Sequence, residues 1–293
     1  MWQDTRVLVT GATGFIGAHL VSRLEGLGAR VHAVSRRPPR GPGWHRADLS
    51  DPAATAALVA EVAPEVVFHL ASEVTGVRDP AVVAPTLAGN LAAAVNLLTA
   101  LTGTPVRSVV LAGSVEEPRD GLPPGSPYAA AKAAATGYAR MFHALWQVPV
   151  SVLRVAMVYG PAQPDTARLV PYVTLSLLRG REPELTSGTR MVTWVYVEDV
   201  VDAFVLAGES GKAAGEVLDI GTAEPVSIRD TVELLARVVG GEARPRFGAV
   251  DARPLDRAQR SDIGPAERVL GWRPVTGLEE GLRRTVAWYA KHL

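Results

Sequence analysis

Three side chains in this sequence have the types and spacing of an acid–base site. Tyr128 and Lys132 stand in the run Tyr128-Ala-Ala-Ala-Lys132. The i, i+4 interval puts both on one face of a helix. An ammonium beside a phenol favours the phenolate and lowers the tyrosine pKa from about 10 toward neutrality. Such a tyrosine gives or takes the proton of an alcohol while a hydride moves at the neighbouring carbon. Ser114 closes the apolar run Val109-Val110-Leu111-Ala112-Gly113-Ser114. The carboxyl ends of strands are where ligands bind in open α/β sheets. Its hydroxyl is expected to bind the same substrate oxygen as Tyr128. Ser114, Tyr128 and Lys132 are therefore the expected catalytic residues.

A hydride needs a carrier, and the N-terminus supplies a loop for one. Gly11-Ala12-Thr13-Gly14-Phe15-Ile16-Gly17 follows an apolar run directly and opens a helical pattern. Gly11 permits the tight turn, Gly14 admits backbone close to a pyrophosphate, and Gly17 allows the helix to pack on the strand. Unpaired amides of the loop and helix start, around Thr13, Phe15 and Ile16, then bind the phosphates. Strand, glycine turn and helix in that order indicate a dinucleotide site. An NAD-selective fold places a carboxylate at the end of the second strand, on the ribose hydroxyls. Here that strand ends Val34-Ser35-Arg36-Arg37. Guanidinium pairs with a 2′-phosphate and stacks on adenine, so NADP(H) is expected over NAD(H). The alternative is that Arg36 and Arg37 belong to a solvated loop continued by Pro38-Pro39-Arg40. Asp48, followed by Leu49, is expected at the adenine amine, with capping of the helix beginning near Pro52 as its alternative role.

Positioning these groups requires alternating strands and helices, and the first half reads that way. Strands are expected over Arg6–Thr10, Arg30–Val34, Glu65–Leu70, Arg107–Leu111 and Val150–Val155. Helices are expected over Gly14–Leu27, Ala53–Val62, Leu87–Leu101 and Tyr128–Trp146. The fold class is α/β, a Rossmann-like doubly wound parallel sheet with a smaller C-terminal lobe. The dinucleotide-binding domain is expected over 1–161. Residues 162–293 are expected to form mainly a substrate lobe, with some segments returning to the first domain. In that lobe Leu169–Leu178 reads as a helix, Val192–Val197 as a strand, and Ser227–Val239 as a helix capped by Ser227. Gly240–Pro265 reads as an ordered loop region, and Leu278–Leu293 as a closing amphipathic helix.

Composition narrows the function classes. Thirty basic residues balance thirty acidic ones across 293 residues, which argues against nucleic acid or an anionic membrane as a partner. Cysteine is absent, excluding disulfides, zinc–thiolate sites and thiol nucleophiles. Six scattered histidines form no His-x-x-x-His pair, so no metal site is expected. The uncharged run Pro80–Val106 contains Pro85, Gly89, Asn90 and Asn96 and reads as a buried or interface helix rather than a membrane span. No secretory pattern is visible near Asp4 and Arg6, and a cytoplasmic location is expected.

The glycine loop, Ser114 and Tyr128-Ala-Ala-Ala-Lys132 together resemble the extended short-chain dehydrogenase/reductase superfamily, in particular its nucleotide-sugar epimerases, dehydratases and ketoreductases. His69-Leu70-Ala71-Ser72 resembles that family's fourth-strand motif, whose backbone borders the cofactor; Leu70, Ala71 and Ser72 are assigned there. Asn90 with Asn96-Leu97-Leu98 is similar to its interface-helix motif, and Asn90 is also assigned to the cofactor. Leu153-Arg154 with Tyr159-Gly160-Pro161, Tyr196-Val197-Glu198-Asp199-Val200, Arg253-Pro254-Leu255-Asp256 and Leu270-Gly271-Trp272-Arg273-Pro274 resemble further family signatures. The resemblance implies that Arg253 grips a nucleotide diphosphate, that Lys132 holds the nicotinamide ribose, and that the small faces of Leu87–Leu101 and Tyr128–Trp146 pair two chains into a homodimer. Two positions depart from the pattern. Met157 stands where the family carries an asparagine toward the substrate phosphates, and Arg190 lies earlier than the arginine usual before the Trp194–Tyr196 segment.

Among the family's reactions, a 4,6-dehydratase needs an Asp-Glu pair after the strand-end hydroxyl, whereas Ser114 is followed by Val115-Glu116. The missing ribose carboxylate and Arg36-Arg37 favour consumption of NADPH. The expected activity is thus reduction of the C4 keto group of a nucleotide-linked 4-keto-6-deoxyhexose, with Glu116 against the sugar ring. The alternatives are an NAD-dependent nucleotide-sugar 4-epimerase and a cofactor-sensing protein without turnover.

Overall fold

The computed structural model describes residues 1–36, 41–119, 121–253 and 255–293. In chain order it contains β1 (Arg6–Thr10), α1 (Phe15–Gly26), β2 (Arg30–Ser35), β3 (Trp44–Arg46), α2 (Pro52–Val62) and β4 (Val66–His69). A continuous helical segment, Pro80–Leu101, follows. It comprises a 3₁₀ turn, α3 (Val83–Thr86), a π-helical stretch Leu87–Ala92 and α4 (Ala93–Leu101). Then come β5 (Ser108–Ser114), α5 (Pro127–Trp146), β6 (Val150–Val155), β7 (Met157–Tyr159), α6 (Leu169–Leu178), β8 (Glu184–Leu185), β9 (Met191–Val192) and β10 (Trp194–Tyr196). The chain closes with α7 (Val197–Glu209), β11 (Val217–Ile220), β12 (Val226–Ser227), α8 (Ile228–Val239), β13 (Arg246–Phe247), α9 (Gly264–Leu270) and α10 (Leu278–Lys291).

Two compact units arise from this chain. The first holds Met1–Val155, Val201–Asp219 and Gly264–Trp272; the second holds Ala156–Val200, Ile220–Ile263 and Arg273–Leu293. The seven-stranded sheet runs β3-β2-β1-β4-β5-β6-β11. Chain order reverses between β1 and β4, and the crevice outside the strand ends at such a switch point is where ligands bind. The central strands read as unbroken apolar runs because helices cover both faces. Val66, Val67 and Phe68 of β4 and Val109 and Val110 of β5 are inaccessible to solvent. Leu97, Leu98 and Leu101 of α4 pack into the same core as Leu58, Val59, Val109 and Phe142.

Local chemistry sets the helix starts. Asp51 caps α2 by accepting from the amides of Ala53 and Ala54, with Pro52 at the first position. Ser126 caps α5 through the Ala129 amide, followed by Pro127. The second unit has its own core, in which Tyr159 and Trp194 meet edge-on with Tyr196, Leu177, Val232 and Leu282 around them. Ser227 caps α8 by accepting from the Asp230 amide.

Several elements differ from the sequence reading. The fifth strand extends to Ser114 instead of stopping at Leu111, because residues 109–114 stay in register with Val150–Val155. The helix expected from Leu87 starts at Pro80, after an Asp79 cap on the Ala81 amide. The strand expected over Val192–Val197 breaks at Thr193. There the chain changes partner, from antiparallel β12 to parallel β7, and Val197 already begins α7. Pro80–Leu101 is the one helix among the described residues long and apolar enough to cross a membrane by length and composition, and it carries the buried α4 leucines of this core.

Leu97 is fully buried, so Leu97→Ala should lower stability by about 2–5 kcal/mol, read as a fall in the urea midpoint at constant m. A loss under about 1 kcal/mol would mean that this helix does not pack as described.

Candidate active site

The first unit brings together the glycine loop, the end of β4, the end of β5 and the start of α5. Gly11 has φ +69, and a Cβ there would lie 2.6 Å from the Ala71 nitrogen and 2.6 Å from the Leu70 carbonyl carbon. Only glycine lets the turn lie flat on the β4 extension. A Cβ on Gly17 would overlap the Gly11 carbonyl oxygen, so the third glycine seats α1 on the turn. Gly14 is the extended N-cap of α1 and carries no side chain to occupy the helix amides. This cradle fits a dinucleotide pyrophosphate on the chemistry of its donors: backbone N–H groups at a helix start with no side chain in the way.

Thr10 fastens the two strand ends. Its hydroxyl meets His69 Nδ1 at 2.8 Å and accepts from the Ala71 amide at 3.2 Å. Asn90 does the same one step outward. Its Oδ1 accepts from Ser72 Oγ at 2.8 Å and the Glu73 amide at 2.7 Å, and its Nδ2 donates to the Glu73 carbonyl. Asn90 lies in the π-helical stretch, a distortion frequent at functional sites. It acts here by fixing the Ser72 side chain and the Glu73 backbone. Asn96 holds the opposite border, donating to the Leu49 and Ser50 carbonyls.

At the end of β2, the Arg36 guanidinium donates to Glu73 Oε1 at 2.6 Å. The cation read as a partner for a 2′-phosphate is thus already paired with a carboxylate. Arg37 lies outside the described residues. Ser35 ends β2, its carbonyl accepting from the Ala47 amide. Asp48 does not cap the next helix, since Asp51 does. Asp48 accepts from the side chain and amide of Ser50, and those two bonds hold its carboxyl below the usual range. Leu49 is buried behind it.

Ser114, Tyr128 and Lys132 are all buried, at 6%, 9% and 5% exposure. Ser114 reaches the site because β5 continues to its last residue, and its Oγ accepts from the Glu116 amide at 3.1 Å. The Ser126 cap and Pro127 fix the start of α5, so Tyr128 and Lys132 fall in its first turns. Lys132 Nζ donates to the Ala112 carbonyl at 2.7 Å and lies 5.9 Å from the centroid of the Tyr128 ring. Desolvation lowers the Lys132 pKa to about 8, with Glu117 opposing the fall. His69 is pushed to about 3, chiefly by burial and secondarily by Lys132, so its imidazole is neutral.

Glu116 is exposed, whereas its neighbour Glu117, to which the sequence reading gave no role, is buried. Met157, Arg190 and Arg253 belong to the second unit. Met157 pairs with Trp194 across β7 and β10. Arg190 forms a 3.0 Å ion pair with Asp256, and the Asp256 amide donates to the Arg253 carbonyl. The segments carrying Arg190 and Arg253 are thereby joined. Among the described residues, no group of three or more His, Asp or Glu is arranged to hold a metal.

The sequence profile of the NAD dependent epimerase/dehydratase family matches residues 7–221. The chain belongs to this family. It is 35% identical to the UDP-glucose 4-epimerase of Mycolicibacterium smegmatis, over 97% of this chain and 98% of that protein. Among solved structures it is similar to MoeE5 in complex with UDP-glucuronic acid and NAD, with TM-score 0.86, 34% identity, and coverage of 98% of this chain and 99% of that one. It is also similar to the UDP-glucose 4-epimerase of Thermotoga maritima with UDP-glucose, with TM-score 0.88, 28% identity and coverage of 98% and 99%. The chain is thus an extended short-chain dehydrogenase/reductase whose relatives act on nucleotide sugars. The MoeE5 complex holds NAD, whereas NADP(H) is the expectation from Arg36 and Arg37; of these, Arg36 is paired with Glu73 in this chain.

A histidine held neutral by burial contributes stability that is full above its unfolded pKa, about 6.5, and is lost as pH falls toward 3. His69→Gln should therefore flatten the decline in unfolding free energy between pH 6.5 and 4. An equally steep decline in the variant would show that another group titrates there.

Proposed function

We propose that this protein is a UDP-hexose 4-epimerase that keeps NAD bound through each turnover. The observation that carries the reading is near-full-length similarity to a UDP-glucose 4-epimerase, together with the burial of Ser114, Tyr128 and Lys132 at one sheet end. Bound at the glycine cradle, NAD would accept the C4 hydride of the sugar and later return it to the opposite face. The chain's own residues handle the proton. Tyr128 takes the C4 hydroxyl proton and gives it back. Ser114 donates to the same oxygen and holds it while the sugar turns. Lys132 favours the phenolate by its charge and holds the nicotinamide ribose. Arg253 supplies a guanidinium for the diphosphate, Arg190 being engaged with Asp256 as Arg36 is with Glu73, and Glu116 meets the sugar ring. Asp48 lies at the adenine, and Leu70, Ala71 and Ser72 border the dinucleotide.

A second reading, reduction of a 4-keto sugar by NADPH, is favoured by one feature: β2 ends Ser35-Arg36 without a ribose carboxylate. The two readings differ in stoichiometry, since a reductase consumes one NADPH per sugar and an epimerase consumes none. Dehydration is disfavoured because Val115 stands where that reaction needs an acid. Homodimer formation in the cytoplasm completes the proposal. Its support is an apolar surface on α3, the π-helical stretch and α5, where Val83, Leu87, Tyr138, Leu145 and Trp146 are each more than 40% exposed.

The purified protein should carry NAD and interconvert UDP-glucose and UDP-galactose with no added reductant. Tyr128→Phe should retain NAD and lose at least about 100-fold in turnover, the scale of a lost acid–base group. Near-normal turnover in that variant would remove Tyr128 from the chemistry. Stoichiometric NADPH oxidation by a 4-keto sugar would replace the epimerase with the reductase.

A further inference from the structure

Glu117 is 5% exposed in the turn after β5, one residue beyond the carboxylate that the sequence singles out. Burying a carboxylate is costly unless its oxygens are satisfied. Here both are. Oε1 accepts from the Ser114 amide at 2.8 Å, and Oε2 accepts from Thr136 Oγ1 at 2.8 Å. Two donors on two oxygens suit the ionised acid. The side chain folds back against β5 so closely that a Cβ on Gly113 would lie 2.7 Å from Oε1 and 3.0 Å from Arg154 Cγ. Glycine at 113 is what leaves room for the carboxylate beneath Ser114.

The charges around it are few. Arg154 of β6 approaches from one side, but its Nε donates to Asp219 at 2.9 Å, and Asp219 also takes Arg119. One carboxylate between two guanidiniums leaves that cluster a net positive charge, which also favours ionised Glu117. On the α5 side, Lys132 stands one turn before Thr136, the residue that holds Glu117 Oε2, and its own hydrogen bond goes to an uncharged carbonyl. A carbonyl dipole orients an ammonium but does not balance its charge. His69, facing Lys132 from β4, is neutral and adds no anion. Tyr128 lies one turn away on the same helix.

We propose that Glu117 is a positioning residue of this site, fixing the Ser114 backbone and supplying the buried counter-charge for the Lys132 ammonium. This rests on the assignment of Ser114, Tyr128 and Lys132 as the proton-handling group. Burial raises the Glu117 pKa, while the Ser114 and Thr136 bonds, then Arg154 and Lys132, oppose the rise. The same Glu117 charge opposes the fall of Lys132. Each charge therefore favours the ionised form of the other, with Lys132 the smallest of the influences on Glu117. Loss of the carboxylate charge would let desolvation neutralise the lysine at a lower pH and withdraw the cation that favours the Tyr128 phenolate.

The chain has only three lysines, Lys132, Lys212 and Lys291, so Lys132 is open to direct titration. NAD-loaded protein grown on ε-¹³C-lysine would be followed by NMR over pH, with the Lys132 signal assigned by its absence in Lys132→Met. Glu117→Gln keeps the shape and an acceptor for the Ser114 amide while deleting the charge. The expected result is a Lys132 titration lowered by roughly 1 pH unit. The alkaline limb of kcat should move down equally, with turnover at pH 8 falling about fivefold on the same shift. Glu117→Asp should restore part of both. An unchanged Lys132 titration in Glu117→Gln overturns the proposal whatever happens to activity. A shifted titration with an unmoved kcat limb supports the counter-charge and instead contradicts the proton role of the Tyr128–Lys132 pair. Should Glu117→Gln fail to fold, Thr136→Val removes one bond to the carboxylate and should shift Lys132 in the same direction by less; no shift there also overturns it.

Discussion

A lysine ammonium held away from water is the constraint around which this site is built. Lys132 is 5% exposed at the carboxyl end of the sheet, where its charge is useful to a phenol but expensive to keep. Its position follows from three local features. The Ser126 cap and Pro127 fix the start of α5. Contact of α5 with β5 and β6 brings the helix over the strand ends. The Ala112 carbonyl, at a strand position where it faces the helix, takes one ammonium proton. Displacing any of these would move the cation relative to Tyr128.

The cofactor side of the first unit depends on close backbone approach rather than on charge. Gly11 and Gly17 remove the two Cβ atoms that would keep the turn off Ala71 and the helix off the turn. Thr10 and Asn90 then tie the ends of β1 and β4 and the following segment into one border. These polar side chains act on backbone, and that makes the rim of the crevice rigid where a flat, polar ligand must lie. Charge enters at the outer end, where Arg36 meets Glu73. That pair makes the guanidinium less available to a second anion and agrees with the NAD of the similar solved complex.

Much of this arrangement is legible in the sequence because it rests on local rules. The glycine spacing, the i, i+4 Tyr–Lys pair, the apolar strands and the Ser227 cap each follow from a few consecutive residues. What the sequence leaves open is tertiary. Asp48 reads equally well as a helix cap until Asp51 is seen on the Ala53 and Ala54 amides. Arg36 reads as a phosphate ligand until Glu73, 37 residues on, is found beside it. Glu117 looks like half of a solvated Glu-Glu pair. Its burial is set by Thr136 and β6 as well as by nearby Gly113, and no short window around residue 117 contains the first two. The changed pairing at Thr193 is likewise a property of β7 and β12 together.

In the proposed 4-epimerase the two particles removed from the sugar would part ways: the proton would go to a side chain that exchanges with water, and the hydride to a carrier that does not leave. UDP-glucose deuterated at C4 tests that separation directly. Turnover in ordinary water should give UDP-galactose with the deuterium still on C4, read by NMR and mass spectrometry. Deuterium washed out into solvent would contradict it, because C4 would then have lost its hydrogen as a proton.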